Sequence, residues 1–272
     1  MRTALAPLSA AADALERVQG LGSRARLAQG GPVEVDQLLA AANALLDRLD
    51  AAFDAQATFT AQAAHELRTP LTVLRGELDL ALRRDRDAAD YRASLDRVRG
   101  EAGRLAELVE GLMLLARVEA GHADRGRAVE QVSEAVHRAV LRERPALDRA
   151  GCALQVDLQG GGPASMHLAL VTAAVANLLA NAAAYAPGAP VAVWLRREGD
   201  AVSVGVDDGG PGLPPDERAR VLERFQRGAS RRDGLGLGLT LAREIARRHG
   251  GELALDRSPL GGLRAVLVLP GA

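Results

Sequence analysis

The chain has 272 residues, 48% of them hydrophobic but only 2% aromatic, enough for about two domains with cores built from Ala, Leu and Val. Its 34 basic residues, all Arg, balance 35 acidic ones to a net charge of −1, which leaves no long-range field to gather nucleic acid or anionic lipid. One cysteine, Cys152, excludes an internal disulfide and a multi-thiolate zinc site.

Residues 1–51 read as two helices. "LAPLSAAADALERV" and "VDQLLAAANALLDRLD" have helical patterning and flank a Gly-rich connector, "QGLGSRARLAQGGP". In the second, Leu38, Leu39, Ala42, Leu45, Leu46 and Leu49 recur at spacings of three and four, making one apolar stripe. Two short helices with narrow stripes cannot bury themselves alone, and the simplest partner is a second copy of the chain. The opening "MRTALAPLSAAADALE" has no sustained apolar run, so no secretory signal is read there.

Residues 52–120 read as a helical hairpin. Leu67, Leu71, Leu74, Leu78 and Leu82 form one stripe, and Leu95, Val98, Leu105, Leu108, Leu112 and Leu115 form another; the polar "RRDRDAADY" joins them. Two long helices, each apolar on one face, predict a four-helix bundle made by dimerisation. The first helix contains "AAHELRTPL", with a proline that costs a helix interior ~3 kcal/mol beside an ionisable His-Glu pair. His65 lies two residues before Leu67, about 200° around the helix from the stripe, so it points outward. Thr69 lies one turn further along the same face. A carboxylate such as Glu66 can hold one ring N–H of an exposed imidazole and leave the other nitrogen as nucleophile. Pro70 removes the N–H that would bond to the Glu66 carbonyl, which loosens or bends the helix past His65.

Residues 121–272 begin as a short linker and a helix, then mix strands and helices. Candidate strands are "ALQVDL", "VAVWLRR", "AVSVGV", "ELAL" and "RAVLVL"; candidate helices cover 165–185, 215–224 and 239–249. Several strands follow one another with no helix between them, which predicts an α+β layer rather than a doubly wound sheet. The stretch from Leu168 to Leu195 carries no charge and is long enough to span a bilayer. Asn177, Asn181, Tyr185 and the break at Pro187-Gly188 favour a core helix followed by a strand.

This last block offers sites for a nucleotide. There is no P-loop, and without Lys there cannot be one. Asn177 and Asn181 share one helical face, and amide oxygens there can hold Mg²⁺. Asp208 ends a strand before Gly210 and Gly212, so its carboxylate can accept a hydrogen bond from an amino group such as adenine N6. "RGASRRDGLGLGL" places Gly234, Gly236 and Gly238 just before a helix N-terminus, where backbone N–H groups attract anions and glycine permits close approach.

"HELRTPL" resembles the phospho-acceptor box of two-component sensor histidine kinases. The order of Asn box, Asp-Gly box, Phe-containing segment, Gly-rich box, "HGG" and a terminal strand ending in "LP" resembles the ATP-binding domain of the same kinases, in the GHKL superfamily. The first 50 residues resemble, less strongly, a HAMP signal-relay module. The architecture implied is multidomain: an all-α N-terminal half of HAMP-like helices (1–51) and a dimeric four-helix-bundle hairpin (52–120), then an α+β sandwich ATP-binding domain (121–272).

The resemblance implies ATP-dependent autophosphorylation of His65 with Glu66 as its base, and phosphotransfer to an aspartate of a response regulator. Thr69 would orient water when the same helix dephosphorylates that partner. Asn181 would be the Mg²⁺ ligand, Asn177 a phosphate neighbour, Tyr185 part of the Asn box and Asp208 the adenine acceptor. Gly210 and Gly212 would shape the pocket floor, Phe225 and Arg227 would belong to a lid, and Gly234, Gly236 and Gly238 would hold its far end. The expected cofactors are ATP and Mg²⁺, the expected partners a second copy and a response regulator, with no nucleic acid. The expected location is the cytoplasmic side of a bacterial inner membrane, as a piece anchored through an upstream segment; the other reading is a soluble relative. The chain departs from the resemblance at Ala184, where a basic residue is common, at Gly209, and at Leu263, where a Thr is common. Two other readings use the same motifs: a chaperone- or topoisomerase-like GHKL ATPase, which would place a Glu where Asn177 stands, and a catalytically silent scaffold that only dimerises and binds a regulator, or acts mainly as its phosphatase.

Overall fold

The computed structural model describes residues 26–28, 30, 32–83, 87–119, 127–222 and 237–272. They fall into two compact units, residues 1–66 and 67–272. Helix α1 (Val33–Leu82) contributes to both. It continues through residues 51 and 52, where the sequence suggested a module boundary, because "AAFDAQATFTAQAA" contains no Gly or Pro to stop it. It also stays helical through Pro70, which forfeits one backbone hydrogen bond without ending the helix. The expected first helix, in residues 1–25, lies outside the described residues.

In the first unit the connector residue Leu27 is buried, and its backbone is held by Asn43. The Leu27 N–H donates to Asn43 Oδ1 at 2.9 Å and Asn43 Nδ2 donates to the Leu27 carbonyl at 3.0 Å. Neighbouring Arg26 reaches Asp47 at 2.8 Å and Asp50 at 2.9 Å.

In the second unit the α1 segment is followed by α2 (Ala88–Glu119). The expected leucine stripe divides: Leu67 and Leu74 are half-buried, whereas Leu71, Leu78 and Leu82 are 52%, 45% and 82% exposed. Arg97 of α2 pairs with Glu77 of α1 at 2.9 Å. On α2, Leu108, Leu115 and Val118 are fully buried, while Leu95 is exposed.

The α+β domain starts with β1 (Ala128–Gln131) and α3 (Val132–Arg149). It continues with β2 (Ala153–Asp157), β3 (Pro163–Met166) and α4 (Leu168–Tyr185). Strands β4 (Pro190–Glu198) and β5 (Ala201–Asp208) follow, then the short α5 (Pro215–Arg218) and a 3₁₀ turn at Arg220–Leu222. The chain ends with α6 (Gly238–Arg248), β6 (Glu252–Arg257) and β7 (Leu263–Pro270). A five-stranded sheet runs β2-β4-β5-β7-β6, antiparallel except for the parallel β2–β4 pair. Strands β1 and β3 form a separate antiparallel pair. The expected helix over 165–185 therefore begins later, at Leu168, because β3 occupies the residues before it; the described part of the one over 215–224 is an α-helical turn, Pro215–Arg218, followed by the 3₁₀ turn.

Alternation builds the core. Val191, Val193 and Leu195 of β4, Val202, Val204 and Val206 of β5, and Leu267 and Leu269 of β7 are buried, each contributing about 1.5–3 kcal/mol. Helices α3 and α6 each pack on α4, with α4 against β5 and α6 against β6 and β7, giving one helical layer on one sheet. Leu168–Tyr185 is apolar and long enough to cross a membrane by composition, but half of it is buried here as the central helix of this layer.

Candidate active site

Helix α1 carries the His-Glu motif. His65 is exposed, Glu66 half-buried and Thr69 exposed, so the imidazole faces outward as the helical spacing predicts. The Thr72 hydroxyl donates to the Arg68 carbonyl at 2.9 Å and is spent on its own helix.

The second group of residues gathers where β5 ends. Asp208 is 7% exposed, and its Oδ1 accepts the Gly210 N–H at 2.8 Å and the Leu263 N–H at 3.1 Å. Among the described residues no donor reaches Oδ2, which remains to accept from a ligand. Burial raises the carboxyl above its ordinary range; the two N–H donors pull it down, and the adjacent Asp207 charge pushes it further up. Glycines bring backbone against this carboxylate. A Cβ on Gly262 would lie 2.1 Å from Asp208 Oδ1, and one on Gly210 would lie 2.9 Å from the Ala186 Cβ and 3.1 Å from the Tyr185 carbonyl. Gly212 turns back at a φ of 71°, a conformation glycine adopts without strain.

Helix α4 supplies the amides. Asn177 Nδ2 donates to the Ala173 carbonyl at 2.8 Å, which fixes Oδ1 as the outward atom. That oxygen meets the start of α6: a Cβ on Gly238 would be 3.4 Å from it. Asn181 and Tyr185, both half-buried, follow at one-turn intervals. Gly238 is the first residue of α6 rather than part of the loop before it, and the helix's first N–H groups lack intrahelical partners. Phe225, Arg227, Gly234 and Gly236 lie outside the described residues.

No group of three or more His, Cys, Asp or Glu that could hold a metal exists among the described residues. The donors at hand, Asn amide oxygens, are hard ligands that suit Mg²⁺ shared with phosphates and water, and not a zinc cage.

Residues 55–121 match the family described as the His Kinase A (phospho-acceptor) domain, and residues 167–272 match the histidine kinase-, DNA gyrase B- and HSP90-like ATPases. The chain belongs to the two-component sensor histidine kinases. It is 32% identical over 248 residues to the sensor protein IrlS of Burkholderia pseudomallei, covering 87% of this chain and 53% of that protein. It is 36% identical over 245 residues to the probable sensor histidine kinase TcrY of Mycobacterium tuberculosis, covering 83% and 50%. It is 33% identical over 288 residues to the histidine-protein kinase/phosphatase MprB of Mycobacterium leprae, covering 99% and 54%. The chain thus spans about half the length of these curated relatives. Among solved structures, the fold is shared with the Acinetobacter baumannii histidine kinase AdeS, at a TM-score of 0.59 and 21% identity over 76% of this chain and 97% of that one. It is shared also with the histidine kinase ThkA, solved with the response regulator protein TrrA, at 0.64 and 17% over 79% and 61%.

In this chain the sequence-derived residues Asn177 and Gly238 meet, and Asp208 meets Gly210. The residue that sequence reasoning undervalued is Gly262, whose missing side chain makes room for the Asp208 carboxylate. Its signal was the Gly261-Gly262 pair just before the last strand, a place where two backbones approach closely.

Proposed function

We propose that the chain is the kinase portion of a sensor histidine kinase that autophosphorylates on His65 and passes the phosphoryl group to an aspartate of a response regulator. The observation that carries the reading is the half-satisfied, buried Asp208, a carboxylate with one oxygen fixed by two backbone N–H groups and the other left to accept the amino group of adenine. Gly210 and Gly262 leave space beside it for a flat base, and Gly212 turns the chain away. Asn177 and the first N–H groups of α6 face the phosphates. The Asn181 amide oxygen would hold Mg²⁺, which supplies charge neutralisation at the phosphates.

The chemistry is an in-line displacement. One ring nitrogen of His65 attacks the γ-phosphorus, the bond to the β–γ bridging oxygen breaks, ADP leaves, and Glu66 takes the ring proton. Phospho-His65 then donates to the regulator aspartate. Thr69, exposed one turn on, orients water for the opposing activity, hydrolysis of the regulator's aspartyl phosphate to release phosphate, in keeping with the kinase/phosphatase name of the relative MprB. We assign residues 1–51 to signal relay, 52–120 to dimerisation and phosphotransfer, and 121–272 to ATP binding. The leucines left exposed on α1, Leu71, Leu78 and Leu82, support a homodimer whose second copy covers them. Work of this kind takes place on the cytoplasmic side of the membrane, where ATP and regulators are found. Incubation with γ-labelled ATP labels the unaltered chain and not His65→Gln; label surviving on His65→Gln overturns the assignment.

A further inference from the structure

The face of the sheet turned away from the helices carries a cluster that the proposed chemistry does not use. Asp207 and Arg264 stand opposite each other in the β5–β7 register. Arg264 Nε donates to Asp207 Oδ1 at 2.7 Å and its Nη2 to Oδ2 at 2.9 Å, a two-pronged pair, while Trp194 Nε1 donates to Oδ2 at 2.8 Å. Asp207 is left 2% exposed. The Arg264 guanidinium lies 5.3 Å from the centre of the Trp194 ring, and that of Arg196 lies 5.8 Å from it. The indole fits because residue 205 is glycine: a Cβ there would fall 2.0 Å from the ring.

The cluster is one residue away from the adenine carboxylate on both strands. Asp207 precedes Asp208, and Arg264 follows Leu263, whose N–H grips Asp208 Oδ1. The Gly262 N–H also bonds the Asp208 carbonyl at 3.1 Å. Residues 207–208 and 262–264 are therefore clasped from both faces of the sheet, by Leu263 and Gly262 around Asp208 on the helical side and by Arg264 on Asp207 on the open side.

We propose that Arg264 is a positioning residue for nucleotide binding: its fork on Asp207, steadied by Trp194, sets the start of β7 against Asp208 and so aims the free carboxylate oxygen. The inference rests on Asp208 being the adenine acceptor. Without the guanidinium, Asp207 becomes a buried charge held only by the Trp194 N–H, and the end of β5 must shift to hydrate it. Lysine keeps the charge but cannot make the fork. Arg196 is the internal contrast. It lies over the same ring, yet its ion pair, at 2.8 Å, is with Asp157 of β2, the edge strand two away from the strand that ends in Asp208.

The test is the Kd of Mg·ATP by calorimetry and the ATP dependence of autophosphorylation, on the full chain, with thermal melts to confirm folding. Arg264→Gln weakens Mg·ATP about tenfold or more, raising the apparent KM while the rate at saturating ATP holds; Arg264→Lys recovers part of the loss, and Arg196→Gln leaves the Kd unchanged. Folded Arg264→Gln with unaltered Kd overturns the inference and leaves the ATP site standing. If Arg264→Gln does not fold, Arg264→Lys decides, and full affinity in it overturns the inference. An unaltered chain that does not bind Mg·ATP overturns the nucleotide reading itself.

Discussion

Two adjacent glycines separate a local strain from a damaged site. Gly262 is packed on Asp208: an added Cβ would sit 2.1 Å from Oδ1, 2.5 Å from the Gly210 nitrogen and 2.6 Å from the Asp208 carbonyl oxygen. Two of those atoms are backbone held by hydrogen bonds, so the carboxylate is the part that yields. Gly261 has a φ of 104° but nothing within 4 Å of its would-be Cβ, so Gly261→Ala strains only its own backbone, by about 1–2 kcal/mol. Turning the Asp208 carboxylate aside in Gly262→Ala forfeits the hydrogen bond proposed with the adenine amine. A bond to a charged group is worth roughly 1.5–3 kcal/mol, or about 10- to 100-fold in Kd. Calorimetric titration with Mg·ATP beside thermal melts reads both quantities. Gly261→Ala lowers Tm and keeps its affinity, whereas Gly262→Ala loses affinity. A folded Gly262→Ala that binds Mg·ATP within twofold of the unaltered chain refutes the packing argument.

Asp208→Asn weakens ATP binding and raises Tm at neutral pH. Burial holds the Asp208 carboxyl above its ordinary range, so its contribution to stability is complete below the unfolded value and is lost as pH rises through the folded one. Nucleotide binding needs the ionised form and therefore declines on acidification through that same raised value, earlier than for an exposed carboxylate; a titration that stays flat until the ordinary carboxylate range contradicts this. Glu143, raised mainly by burial, partly offset by Arg142 and pushed further up by Glu107, follows the same sign. Glu143→Gln should therefore increase Tm near neutrality and leave it unchanged in strong acid, and melts at the two pH values check it. Glu at both Leu71 and Leu78 shifts the chain from dimer to monomer in light scattering, since charges there occupy the face a second copy would cover.

Much of the α+β domain was legible because strict alternation marks half-buried strands. Val191, Val193 and Leu195 announce β4, and Val202, Val204 and Val206 announce β5. Strands β1 and β3 were not, since each has four residues, β3 starts on Pro163, and their pairing is imposed by the tertiary fold. The helix itself gives no sign of the boundary expected at residues 51 and 52, because an unbroken helix carries no punctuation there. Among the candidate residues, His65, Asn177 and Asp208 stood out through motif and spacing. The demands on Gly262 and the Trp194–Asp207–Arg264 cluster depend on which residues face each other across strands, and Asp207 and Arg264 are 57 residues apart in sequence. Only the register of β5 on β7 brings them together.

The most direct test is chemical mapping of the phosphoryl group. After incubation with Mg·ATP, peptide mass analysis should find one added phosphoryl on the peptide holding His65, stable in alkali and lost in acid. An acid-stable phosphoryl, or one on any other peptide, contradicts the account.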